Sequence, residues 1–126
     1  MKYQLPKKLL KSWLTALRSD KYHQTTGLLC ELDYGYCAIG VLAKDYYGIP
    51  ESKLDNEVDI NEVAEMTDSR LPNSLGNQEF QDWITTMNDE YQMCFEEIAD
   101  KIEQNVEVVW VSRSTKLIGD NLDNVV

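Results

Sequence analysis

The stretch Cys37-Ala38-Ile39-Gly40-Val41-Leu42-Ala43-Lys44-Asp45-Tyr46-Tyr47 decides the fold. It is apolar on almost every side until Lys44, which fits a central helix packed against several neighbours. Gly48-Ile49-Pro50 stops it. Gly40 inside the helix costs about 1 kcal/mol against alanine, so a close backbone contact with another element is expected there. Upstream, residues 26–39 read as a short β-hairpin: Leu28, Leu29, Cys30 and Leu32 precede Asp33-Tyr34-Gly35, and Tyr36, Cys37 and Ile39 follow. Gly35 is expected to supply the positive φ of the turn. Before the hairpin, Leu5, Leu9, Leu10, Trp13, Leu14 and Leu17 recur at helical spacing, which predicts an amphipathic helix from about Pro6 to Arg18.

Downstream, residues 51–58 read as an acidic loop. Asp59-Ile60-Asn61-Glu62 resembles a capping box and opens a short helix burying Ile60, Val63 and Met66. Asn77 caps the next helix, where Phe80, Trp83, Ile84 and Met87 fall at i, i+3, i+4 and i+7, and Asn88-Asp89 is expected to break it. Residues 94–104 repeat the template with Phe95, Ile98, Ala99 and Ile102. The run Val106–Val111 is rich in β-branched residues and reads as a strand, although its spacing would also prolong the preceding helix. The expected fold class is α+β and mainly α-helical. About five helices surround one core, with an antiparallel hairpin near 27–37 and a third strand near 106–111. Residues 1–113 form a single domain, and 114–126, which lack periodicity, are expected to be a mobile tail.

A chain of 126 residues with 43% hydrophobic composition holds one core and is not disordered as a whole. No apolar run approaches the roughly 18 residues of a bilayer span, and no signal-peptide pattern opens the chain. Three cysteines, at 30, 37 and 94, do not make a disulfide framework, so a reducing cytoplasm is expected. Charge is unevenly placed. Residues 1–21 hold six bases and one acid, whereas 22–126 hold six bases and 21 acids. Most of the surface therefore repels nucleic acid and anionic membrane, and direct nucleic-acid binding is not expected.

Metal chemistry finds no complete motif. Asp55, Glu57 and Asp59 alternate as in an EF-hand loop, but Ile60 and Met66 occupy the positions that require glycine and glutamate. Zinc lacks ligands, since no C-x-x-C exists and His23 is the only histidine. No metal and no cofactor is expected. Cys37 stands where a hairpin strand enters a helix, a position that can lower a thiol pKa, with His23 as the candidate base and Asp33 or Asp89 to orient it. The competing reading makes Cys37 a small buried hydrophobe. Glu96, Asp100, Glu103 and Glu107 follow i, i+4, i+7 and i+11, a carboxylate row with steps of about 6 Å that imitates phosphate spacing.

Several stretches resemble a family of small proteins encoded by bacteriophages and prophages. They are Trp13 with Ala16–Gln24, then Gly27, then Tyr36-Cys37-Ala38-Ile39-Gly40-Val41-Leu42, and finally Met87-Asn88-Asp89 with Phe95–Glu103. The resemblance spans about residues 10–105. It implies a phage context and no particular activity. Ala38 stands where relatives often carry a second cysteine, and His23 where lysine is expected. The polar members of the pattern are Arg18, Tyr22, Gln24, Asn88 and Asp89. Each has a structural alternative: Arg18 pairing with Asp89, Asn88-Asp89 capping a turn, Tyr22 packing on the first helix. Together with Cys37 they are the candidate binding residues. The expectation is an acidic, cytoplasmic accessory protein that binds a host protein; the alternative is a small enzyme or ligand-binding module centred on Cys37.

Overall fold

The computed structural model describes residues 3–109. The chain starts with a short strand, β1 (Tyr3–Pro6), and passes directly into α1 (Lys7–Leu17), which buries Leu9, Leu10, Trp13, Leu14, Ala16 and Leu17. Pro6 is the residue before the first helical turn, with extended backbone. A hairpin follows. Its strands β2 (Cys30–Glu31) and β3 (Gly35–Tyr36) are antiparallel, with Cys30 opposite Tyr36 and Glu31 opposite Gly35.

The positive φ of this turn belongs to Asp33 (+65°), not to Gly35. Gly35 is required for a different reason. A Cβ there would lie 2.5 Å from the carbonyl oxygen of His23, because the segment 23–25 runs along β3. Tyr36 N–H donates to His23 O (2.8 Å) and Thr25 N–H to Tyr36 O (2.8 Å).

Helix α2 (Ala38–Asp45) is buried from Ala38 through Ala43, as the apolar run predicts. It meets α1, where the Trp13 indole donates to Ala38 O at 2.9 Å. The tight contact expected at Gly40 exists: a Cβ there would fall 1.8 Å from Leu29 O. Residues 51–58 are not simply a loop. Glu51–Leu54 form one helical turn, α3, anchored by the fully buried Leu54. Asp55–Glu57 then pair with the hairpin, with Leu29 N–H donating to Glu57 O (2.7 Å), Asn56 N–H to Cys30 O (3.0 Å) and Leu32 N–H to the Asp55 carboxylate (2.8 Å). These bonds occupy the carboxylate that begins the EF-hand-like alternation.

Helix α4 (Ile60–Met66) is capped by Asp59, which accepts from Asn61 N–H at 2.9 Å. It buries Ile60, Val63 and Ala64, but Met66 is 57% exposed, contrary to expectation, because the core-facing side is the one shared by those three residues and Met66 falls beyond its edge. Helix α5 (Gln78–Thr85) begins at Asn77, whose side chain accepts from Phe80 N–H at 3.0 Å. Asn88-Asp89 does not break it. The chain continues through a π-helical turn, Thr86–Glu90, whose extra residue per turn swings Asn88 inward to 1% exposure.

Helix α6 (Phe95–Asn105) buries Phe95, Ile98, Ala99 and Ile102 against α1. Strand β4 (Val106–Val109) then pairs in parallel with β1, Tyr3 opposite Val106 and Pro6 opposite Val109. The expected strand is thus present over its first four residues, and its partner is a strand the sequence reading did not expect, with Leu5 and Pro6 counted toward the first helix. The described residues form an α+β, mainly helical fold with seven helical segments, two more than expected; the additions are α3 and the π turn. No helix among them is long and apolar enough to cross a membrane. Residues 114–126 lie outside the described residues.

Candidate functional site

Asn88 is the joint between three parts of the chain. Its Oδ1 accepts from Ala38 N–H at the start of α2 (3.2 Å) and from Gln24 Nε2 (2.9 Å). Its Nδ2 donates to Thr25 O (2.9 Å) and to the Asp89 carboxylate (2.8 Å). All four hydrogen-bonding positions of the amide are filled within the protein. Gln24 extends the network by donating to Met93 O at 2.8 Å, which ties the segment after the π turn to the hairpin. A buried amide with this many partners positions backbone, and it has no capacity left for a ligand.

Cys37 is the residue before the first turn of α2. Its Sγ accepts from Gly40 N–H at 3.4 Å, so the thiol itself caps the helix. The backbone amides favour the thiolate, but burial outweighs them and pushes the thiol up to about 11; the nearby Asp89 carboxylate adds to the rise. Of the two sequence-based readings of Cys37, the activated thiolate is the one this shift opposes. The proposed base is also engaged elsewhere: the His23 imidazole stands edge-on to the Tyr34 ring at 4.6 Å.

Arg18 does not pair with Asp89. Its Nη2 bonds to both Asp100 (2.7 Å) and Glu103 (2.8 Å), joining the end of α1 to the second half of α6, against which it packs. This pairing also interrupts the carboxylate row. Of its four members, Asp100 and Glu103 share one guanidinium, and Glu107 lies on β4 rather than on the helix. Only Glu96 remains on α6 outside that ion pair. Tyr22 packs edge-on against Tyr36 (5.2 Å), and its hydroxyl donates to Asp45 at 2.8 Å. Burial and that bond hold its pKa above the ordinary phenol value.

The candidate residues thus fall into two places joined by Gln24. Arg18, Tyr22 and Gln24 border a shallow polar groove beside the start of α6. Cys37, Asn88 and Asp89 line a cleft of about 170 Å³ between residues 27–29, the start of α2 and one face of α5. His23 is not among the residues of that cleft. Sequence reading missed the other half of its wall: Gln78, Gln81, Asp82 and Thr85. A signal for them exists, since 78, 81, 82, 85 and 89 recur at helical spacing on the side of α5 opposite Phe80 and Trp83. No family model matches the chain, and neither does any curated protein or solved structure with which it was compared.

Proposed function

We propose that this chain is a small accessory protein of phage type that acts in the cytoplasm by binding a host protein through its acidic exterior. One observation carries the reading. Two of the polar residues selected from the sequence spend their bonding capacity within the protein, Asn88 through four internal hydrogen bonds and Arg18 through two surface ion pairs, and this leaves the rest of the charged exterior as the working surface. Twenty-one of 22 acids lie beyond residue 21, so the field outside the protein favours a basic partner. The resemblance to phage-encoded proteins supports the context. Catalysis at Cys37 is the weaker alternative, because a thiol held near 11 is protonated at neutral pH and the histidine is turned to Tyr34.

The test is affinity capture from a bacterial extract on the immobilised full chain at low and at high salt. A defined partner retained at low salt and released at high salt is the expected result. Retention that ignores salt would remove the electrostatic reading. Titration with a thiol reagent addresses the alternative: Cys94, which is exposed, reacts quickly, whereas Cys37 and the buried Cys30 react slowly in the folded state. Rapid modification of Cys37 would restore the enzyme reading.

A further inference from the structure

We propose that β4 is the docking edge for a second copy of this chain, whose own β4 adds antiparallel in the register that sets Glu107 of one copy opposite Arg113 of the other. The inference is independent of the partner-binding reading above, because it concerns a strand edge and not the acidic exterior. The other strands have cover on their outer sides. Residues 23–25 run along β3 through the bonds of Tyr36 and Thr25, and Asp55–Glu57 run along β2, where Asn56 N–H donates to Cys30 O. At β1, Gln4 N–H donates to the Ser74 hydroxyl at 3.1 Å. Strand β4 differs. Among the described residues its single strand neighbour is β1. Apart from the bond of Val106 N–H to Ile102 O, which closes α6, no backbone bond ties it to a further segment.

An open strand edge is a template for another chain, and proteins that must stay apart blunt it with proline, lysine, a bulge or a covering loop. The stretch Val106-Glu107-Val108-Val109-Trp110-Val111 holds neither proline nor lysine, and Glu107 is its one charge. Burial stops short along it. Val106 is 7% exposed, whereas Val108, two residues on and therefore on the same face, is 41% exposed. The core covers the start of this apolar side and leaves its continuation to be covered by a neighbouring strand.

Charge complementarity selects a second copy as the occupant. From 106 to 113 the charged residues are Glu107 and Arg113, of opposite sign and on the same face of a strand. A two-fold axis normal to the sheet sets each residue opposite one of its own face, so the register is centred on a residue. Centred on Trp110, it sets Glu107 opposite Arg113, Val108 opposite Ser112 and Val109 opposite Val111. Centred on Val109 it sets Glu107 opposite Val111, and centred on Val111 it sets Glu107 opposite Thr115. The Trp110 register alone among these joins the two charges, and symmetry makes the pair twice. The product is a four-stranded sheet in the order β1, β4, β4, β1, which uses up the open edge and closes at two copies.

The experiment is analytical ultracentrifugation of the full chain at about 0.15 M salt, where repulsion between copies is screened beyond about 8 Å. A reversible monomer–dimer equilibrium with Kd on the order of 10 μM is expected, because so short a pairing falls at the small end of specific interfaces. Glu107→Arg and Arg113→Glu each weaken it about tenfold, since like charges then stand opposite each other at both symmetric positions, and the double swap restores it. Glu107→Arg also reduces the net charge of −10, so an association governed by overall repulsion would tighten with that variant instead. Amide hydrogen exchange on the unaltered chain gives a second measurement that needs no variant: exchange over residues 106–113 slows as concentration rises through Kd. A chain that stays monomeric to about ten times that concentration overturns the proposal, as do assembly beyond two copies and exchange there that ignores concentration. A dimer indifferent to both single swaps, or one that the double swap fails to recover, overturns the register and with it β4 as the docking edge.

Discussion

Two polar joints hold remote parts of this molecule together, and they differ in where water is. At the start of α2, Asn88 joins the π turn to Ala38 and Thr25 with its side chain at 1% exposure. Between the end of α1 and the second half of α6, Arg18 bridges Asp100 and Glu103 with all three side chains open to solvent. The distances are alike, 2.7–2.9 Å in the shorter bonds of both. The consequences are not. Breaking the first strands polar groups where no water replaces the lost partner, and breaking the second returns charges to a medium that already solvates them. Short contacts alone therefore do not rank the two joints; burial does.

The largest effect belongs to the interior end. Gly40→Ala drives a methyl group into the Leu29 carbonyl, and neither backbone can yield without pulling the hairpin from α2. A loss of about 3 kcal/mol or more is expected, read as a lowered urea midpoint with an unchanged slope. Asn88→Ala comes next, at about 3 kcal/mol, because it orphans Ala38 N–H, Thr25 O and one N–H of the Gln24 amide at once. Equal urea midpoints for Asn88→Ala and Arg18→Ala would erase the contrast between the joints.

The two regions were also unequally legible. Helix α5 could be read because burial follows its own period: Phe80 and Ile84 are fully buried and Asn77 caps the start. The same holds for Ile98, Ala99 and Ile102 on α6. The tight contact at Gly40 was legible as a need, but its partner, Leu29, was not. Strand β1 was hidden because Tyr3-Gln4-Leu5-Pro6 is too short to show alternation and its partner is about 100 residues away. The π turn carries no local signal at all, so Asn88 read as a helix breaker when its amide is the pivot of the fold. Arg18 was read as a candidate binding residue with Asp89 as its alternative partner, yet its partners lie on α6, since a pairing across 82 residues leaves no trace in spacing.

Alkaline pH separates the joints without mutation. Burial raises the Cys30 and Cys37 thiols to about 11, so both remain protonated in the folded state while the unfolded thiols ionise near 9. A folded-state pKa above the unfolded one contributes stability that is complete below pH 9 and is lost as pH rises from about 9 through 11. Tyr22, Tyr36 and Tyr47, each raised chiefly by burial, act in the same direction at higher pH. Denaturation midpoints at pH 7.5, 9 and 10.5 are expected to hold and then fall, and Cys37→Ala flattens part of the fall. A midpoint that rises across this range would contradict the burial of the thiols.

The smallest effect is at Arg18, and salt identifies it. Arg18→Ala removes the shared cation and leaves Asp100 and Glu103, three residues apart on one helix, to repel each other. Exposed pairs contribute about 0.2–1 kcal/mol, and the shared geometry places this one toward the upper end at low ionic strength. At about 1 M salt, where the screening length is about 3 Å, the difference from the unaltered protein is expected to vanish. Between pH 7.5 and 10.5 it stays constant, because hydrogen bonding to Asp100 and then to Glu103 raises the guanidinium pKa above its already high value and Arg18 keeps its charge. A cost that survives 1 M salt would mean that the packing of the Arg18 stem between α1 and α6, rather than its charge, holds the two helices together there.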